Sequence, residues 1–245
     1  MMIGEAVTNA LRVTLEIGPK GKKIVAVAPD WPGLARGATT EQAAIDRLRS
    51  YIPRYAPVTK LAGMEAAFAT ITGVDVVEHY PGAGSTDFWG ISFAFSSIDH
   101  QVMSGEALER ELTLMRACWA FFDAVRARVS AELQRGPRGG GRDRDHIVHH
   151  TLATEQDWAK KLGVFTPQDA ILTDAGLNAH RDADCTAMRA LHAQSKVAAP
   201  LPDSAHRVSH ARSRLGNGGQ GSDCQTSVRP SALSASTWCI TVASV

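Results

Sequence analysis

The sequence predicts an α+β protein: a small α/β module over residues 1–97, an incomplete antiparallel helical bundle over 98–199, and an irregular tail over 200–245. Three observations predict it. Apolar residues alternate with polar ones in short stretches near the start, recur every three or four positions through the middle, and lose both periods after about residue 199. The chain has 245 residues, 44% of them hydrophobic, enough for one large or two small domains with a real core.

In the first third, Leu11, Val13, Leu15 and Ile17 alternate with polar residues, Gly18-Pro19-Lys20-Gly21 offers a tight turn, and Ile24-Val25-Ala26-Val27 resumes an extended run. That is a β-hairpin. Thr39 or Thr40 can N-cap a helix with Glu41 in its first turn, and Ala44, Ile45, Leu48 and Ile52 keep helical spacing until Pro53, where the helix is expected to stop. Val74-Asp75-Val76-Val77 and the run from Trp89 to Phe95 flank a Pro81-Gly82-Ala83-Gly84 turn and read as further strands.

The period then changes. Leu108, Leu112, Met115, Trp119, Phe122, Val129 and Leu133 lie along one face of a long helix. A glycine-rich linker, 136–141, leads to a second helix over about 144–162, with Asp143 as N-cap and Ile147, Leu152, Trp158 and Leu162 as its buried face. A third helical stretch spans about 168–193. Three amphipathic helices on short connections fit an antiparallel bundle, which commonly closes with a fourth. The last 46 residues hold nine Ser and four Gly but no Lys or Glu. They carry a net +2, which leaves −1 for everything before them.

Charge and cysteine usage narrow the function. Lys and Arg number 26 against 25 Asp and Glu, so no global field draws the chain onto nucleic acid or an acidic membrane, and neither is expected as a partner. No run approaches 18 apolar residues, and the N-terminus lacks a basic stretch followed by an apolar one, so a cytoplasmic location is expected. Cys118, Cys185, Cys224 and Cys239 form no CxxC pair, which favours reduced thiols over a disulfide framework or a cysteine zinc site.

The stretch from Ile24 to Ala43, with Asp30-Trp31-Pro32-Gly33 and Thr39-Thr40-Glu41-Gln42-Ala43, resembles the HicB-like antitoxin domain: a strand, a D-x-PG turn, small residues and a T-x-E-x-A helix start in the same order. Pro32 presets φ and Gly33 permits φ > 0, so the chain can reverse there. Antitoxins usually pair such a domain with a separate DNA-binding module. None is visible here, so the resemblance implies a structural or small-ligand module.

Within the linker, Gly139-Gly140-Gly141 beside Arg138 and Arg142 offers backbone amides at a helix start, but it lacks the G-K-[ST] ending of a P-loop and reads as a flexible basic linker. His146 and His150 are an i, i+4 pair on the flank of the second helix, and His149 points away from its apolar face. Such a pair can bind a transition metal, though two surface histidines are more often simply solvated.

Residues 136–150, followed by Glu155 and Lys161-Leu162-Gly163-Val164, resemble the second-helix start of actinobacterial DinB-like (YfiT-like) proteins that carry a HicB-like front half. The resemblance covers about 11–199. It implies a four-helix bundle holding a divalent metal, zinc or nickel, through three histidines: one on helix two and an H-x-x-x-H pair on helix four. It also implies, for some members, a transferase or isomerase reaction with a thiol cosubstrate such as mycothiol or bacillithiol. His150 takes the helix-two position, with His146, His206 and His210 as further candidates. His206 and His210 have the right spacing but sit in a segment without an apolar stripe.

The genetic code offers an account of that departure. Permitted codons for residues 201–223, read one nucleotide later, can encode CPIRHTAYHMLDHAWEMEDKDL, which has H-x-x-x-H and helical apolar spacing. The residues from about 200 onward are therefore expected to be an out-of-frame continuation. Without the fourth helix, about 400 Å2 of apolar surface left uncovered forfeits about 10 kcal/mol, so the helical half is expected to be marginal and the chain either poorly soluble or a homodimer. The parental protein is then expected to be a three-histidine metal protein whose site and activity this chain has lost. The alternative is a non-enzymatic binding or regulatory module built on the HicB-like half. The coding sequence tests the frame: it should encode that stretch in the +1 register, and an intact frame whose codons do not encode it overturns the account.

Overall fold

Alternating apolar residues in the first third pair into a sheet, and the computed structural model, which describes residues 9–132 and 143–197, gives its order as β3-β2-β1-β4. Strand β1 (Ala10–Ile17) and β2 (Ile24–Val27) form the expected hairpin, with Thr14 opposite Val27 and Ile17 opposite Ile24. After β2 the chain reverses at Trp31-Pro32-Gly33, where Gly33 takes φ +88°, and the small residues beyond it form a third strand, β3 (Ala35–Ala38), antiparallel to β2. Strand β4 (Gly73–Pro81) returns parallel to β1. The helical segments that follow the sheet complete an α+β fold.

The β1–β4 ladder shifts register between Val13 and Thr14: Val13 pairs with Val76, Thr14 with Glu78, and Val77 is skipped. Side chains alternate faces along a strand. Before the shift, Val74 and Val76 therefore pack with Leu11 and Val13 in the helix-covered core, while after it Tyr80 stands opposite Glu16 on the other face.

Helix α1 (Glu41–Leu61) covers the first face, capped by Thr40, whose side chain accepts from the Ala43 N–H at 3.2 Å. It runs through Pro53 and Pro57 rather than stopping at Pro53. Both prolines are exposed and one turn apart, so the carbonyls that lose a partner face solvent, where water replaces the missing donor. Inward, Ala44, Ile45, Leu48, Tyr55 and Val58 join Leu11, Val13 and Leu15. Tyr55 also donates to the Pro32 carbonyl at 2.8 Å, and Trp31 stacks edge-on with Phe68 of α2 (Glu65–Ala69) at 4.7 Å, which fixes the turn to the helix.

The second sheet face is covered by α3 (Gly84–Trp89) and the irregular chain after it. Residues 89–95 are not a strand. Gly90 ends α3 in the left-handed region at φ +70°, and the next residues turn their donors onto Glu16, which is fully buried. Its carboxyl group accepts from the hydroxyls of Thr86, Ser92 (2.6 Å) and Tyr80 (3.2 Å), and from the N–H groups of Phe93 and Ala94 (both 3.2 Å). Burial, joined by the nearby Glu16, pushes the Tyr80 phenol up, so it remains a donor. Asp87 meanwhile accepts from the backbone N–H groups of Lys20, Lys22 and Lys23. Burial opposes its charge, but those three donors hold its carboxyl below the usual range and fasten α3 to the hairpin turn.

Helix α4 (Gly105–Arg126), capped by Ser104, has two apolar faces. Leu114, Ala117 and Cys118 complete the sheet–α1 core, while Leu112, Met115 and Trp119 face the other helices. It ends before Val129, which lies in the following turn; Leu133 lies outside the described residues. Helix α5 (Arg144–Lys161) starts at Asp143, whose side chain accepts from the His146 N–H at 2.7 Å. Its buried face is Thr151, Leu152, Glu155, Gln156 and Ala159, with Ile147 and Trp158 only half-buried at its margins. The third stretch is two helices, α6 (Gln168–Ile171) and α7 (Asp174–Val197), because the Thr173 hydroxyl accepts from the Gly176 N–H at 3.0 Å and caps a fresh start. Cys118 and Cys185 are buried thiols, and no described helix is long and apolar enough to cross a membrane. The tail expected to be out of frame lies outside the described residues.

Removing the Glu16 carboxyl takes the acceptor from five donors, of which the Tyr80, Thr86 and Ser92 hydroxyls are on buried residues. Glu16→Ala should therefore lower unfolding free energy by about 3 kcal/mol or more in urea titrations, with Glu16→Gln, which keeps one acceptor oxygen, losing less.

Candidate functional site

Arg47, Tyr51 and Arg54 sit at i, i+4 and i+7 of α1 and so share one helical face. That face forms one wall of a groove of about 730 Å3, continued by Arg36 on β3. The opposite wall is Trp89, Gly90 and Ile91 after α3, together with Cys118, Phe121 and Val125 of α4; Lys23 of the hairpin stands at the rim. The Arg36 guanidinium lies over the Tyr51 ring at 3.6 Å and that of Arg54 at 5.0 Å, both within cation–π range. Arg47 donates to the Gly37 carbonyl at 3.1 Å, Arg36 to that of Ala35 at 2.6 Å, and Lys23 to that of Phe88 at 3.0 Å. Burial pushes the Arg36 guanidinium down, Tyr51 works against this, and the charges of Arg47 and Arg54 add to the push. None of the twenty lining residues is Asp or Glu.

A second cleft, of about 620 Å3, opens where α4, α5 and α7 meet. There Arg126 and Arg144 are matched by Asp123, Asp145 and Asp174, with Arg126 3.0 Å from Asp123 and Arg144 2.7 Å from Asp145. Two cavities of similar size thus differ in electrostatics: one neutralises its cations internally, and the other gathers four of them without a carboxylate in its walls.

Between the helices lies a buried polar cluster. Along α7 the inward stripe is Leu177, His180, Arg181, Asp184, Cys185 and Met188, so half of a core face is His, Arg or Asp. Arg181 binds Glu155 with two parallel 3.0 Å bonds, reaches Asp123 at 2.6 Å and lies over the Trp119 ring at 5.1 Å. Burial works against its charge, but the two carboxylates outweigh it and raise the guanidinium above its ordinary value. Losing Arg181 strands the buried Glu155 carboxylate, at a cost of about 3–5 kcal/mol, whereas losing Glu155 leaves Arg181 its bond to Asp123. His180 accepts or donates at Nδ1 to the Thr166 hydroxyl at 2.8 Å; burial, then Arg181, pushes its imidazole down and keeps it neutral. Asp184 is fully buried with no hydrogen-bond partner among the described residues on either carboxyl oxygen, and burial, with Glu155 nearby, pushes it up to about 7.

Of the histidines singled out by sequence, those among the described residues stand apart from both places. His146, His149 and His150 are all exposed on the outer side of α5, whereas Glu155, the carboxylate nearest to His150 in sequence, turns inward to Arg181. His206 and His210 lie outside the described residues, as does the linker with Arg138 and Arg142. Among the described residues, no group of three or more His, Cys, Asp or Glu could hold a metal ion, so those residues do not fit a three-ligand centre around His150.

Sequence reasoning missed the cationic groove, although the 47-51-54 spacing was readable on α1. It also missed the α7 cluster, whose 177-180-181-184-185-188 pattern is a helical stripe once polar residues are allowed into it.

The buried acid gives a pH signature. Its folded value, about 7, exceeds the unfolded 3.8, so the folded state favours the protonated form: the Asp184 contribution is intact below about pH 4 and is lost as pH rises through 7. Asp184→Asn should thus stabilise the protein at pH 8 by about 1–3 kcal/mol and have little effect near pH 4, as read from denaturation midpoints across that range. Compared with known proteins, the chain matches no family model, no curated protein and no solved structure.

Proposed function

We propose that the chain is a binding module whose α/β half, closed by α4, takes a small anionic ligand in the groove between α1, β3 and residues 89–91. The observation that carries this reading is the lining: Lys23, Arg36, Arg47 and Arg54 converge on about 730 Å3 with no carboxylate among the lining residues, in a chain whose net charge is only +1. Clustered cations in a partly dry cleft repel one another, and an anion relieves the repulsion. Planar guanidinium forks suit phosphate and carboxylate in particular.

A binding role is favoured over catalysis because the lining holds no His, Asp or Glu, the side chains that most often move protons at neutral pH. The resemblance of the front half to HicB-like domains agrees with a non-enzymatic module. The three-histidine metal reading draws on the resemblance of the helical half alone, and His150 supplies one exposed imidazole toward it.

Calorimetric titration with inorganic pyrophosphate should show saturable binding that weakens as salt is raised. Arg47 and Arg54 are exposed, so Arg47→Ala with Arg54→Ala should leave the melting temperature nearly unchanged and weaken binding at least tenfold. No binding by the intact chain, or equal binding by the double variant, overturns the proposal.

A further inference from the structure

Resting on that reading, we infer that the ligand is a phosphate-bearing aromatic compound of nucleotide size. The two walls of the groove differ in kind. All three arginines belong to the β3–α1 wall, while the facing wall, Trp89 to Ile91 with Cys118, Phe121 and Val125, has no charged residue of its own and is met by one cation, Lys23, at the rim beside Gly90. A ligand that satisfies both is bipartite, with an anionic group on one side and an apolar body on the other. The volume, about 730 Å3, lies within the range of sites that enclose whole cofactor-sized molecules and is far more than a lone phosphate fills.

The apolar wall also offers a stacking surface. Trp89 is 65% exposed, and its neighbour Phe88 meets it edge-on, with ring centroids 4.5 Å apart. An exposed indole at the mouth of a cationic groove is a platform for a planar ring, and each stacked base contributes about tenfold or more in affinity. Tyr51, by contrast, already carries Arg36 against its ring, which holds the guanidinium in place for an anion rather than for a base.

Two of the lining segments touch. A Cβ on Gly37 would fall 2.3 Å from the Gly90 carbonyl oxygen, so β3 and the chain after α3 press backbone against backbone there.

The test uses the full chain with three probes: inorganic pyrophosphate, adenosine diphosphate and a single-stranded oligoribonucleotide. Adenosine diphosphate should bind at least tenfold more tightly than pyrophosphate, and Trp89→Leu should remove that preference, the loss falling mainly on adenosine diphosphate. Because Trp89 is largely exposed, the variant should fold normally, which its circular dichroism checks. Equal affinities for the two small probes in the intact chain, or a preference that survives Trp89→Leu, overturns the inference but spares the anion-binding reading. Failure of every probe to bind sinks that reading itself, and an oligoribonucleotide that displaces adenosine diphosphate at lower concentration overturns the small-molecule inference.

Discussion

The buried side chain of Glu16 is the constraint on which the α/β half turns. A carboxyl group enclosed at the end of a central strand must be given hydrogen-bond donors, and here they come almost wholly from one later segment, residues 80–94. That segment has no ladder to hold it once β4 ends. Glu16 replaces the ladder, and Asp87 adds a second fastening to the hairpin turn. Between these anchors run Trp89, Gly90 and Ile91, the wall of the groove. The geometry of the proposed site is thus set by a polar interaction on the sheet face opposite α1.

Helix α4 does the corresponding work for the helical half. One of its faces completes the core of the sheet and α1, and the other meets α5 and α7, so no layer of solvent separates the two packing clusters along its length. The helical cluster is unusual in what it buries: an Arg181 fork on Glu155, a neutral imidazole, and an acid with no hydrogen-bond partner among the described residues. Hydrophobic packing from Leu112, Met115, Trp119 and Met188 surrounds these groups and carries the desolvation they impose.

Much of the fold was legible in the sequence, and the reasons differ by element. The hairpin, the Thr40 and Asp143 caps and the reversal at Pro32-Gly33 rest on local chemistry that acts within a few residues, and each stands where the spacing places it. What escaped depends on partners far away in the chain. Pro53 looked like a stop because its exposure could not be known. Residues 89–95 looked like a strand because their apolar alternation is real, yet their donors are recruited by Glu16, more than seventy residues earlier. The inward face of α5 was misphased because an apolar-only count skips Glu155 and Gln156, which are core residues here. Of the site, the arginine–tyrosine stripe on α1 was present in the spacing. That it faces an uncharged wall followed only from how β3, α3 and α4 come together.

The register shift at Val77 gives β4 a property of its own. Upstream, even-numbered residues face α1; downstream, Tyr80 faces Glu16 and His79 takes the α1 side, where it meets Glu41 at 3.1 Å. Val77, which is 42% exposed, is the residue the ladder skips. Drawn into regular alternation, it would exchange the faces of everything that follows, turning the phenol away from Glu16 and an imidazole toward it, whereas its removal would leave Glu78 opposite Thr14 and Tyr80 opposite Glu16. What matters at this position is that the ladder passes over one residue, and the segment that walls the groove more than ten residues further on depends on the faces set there.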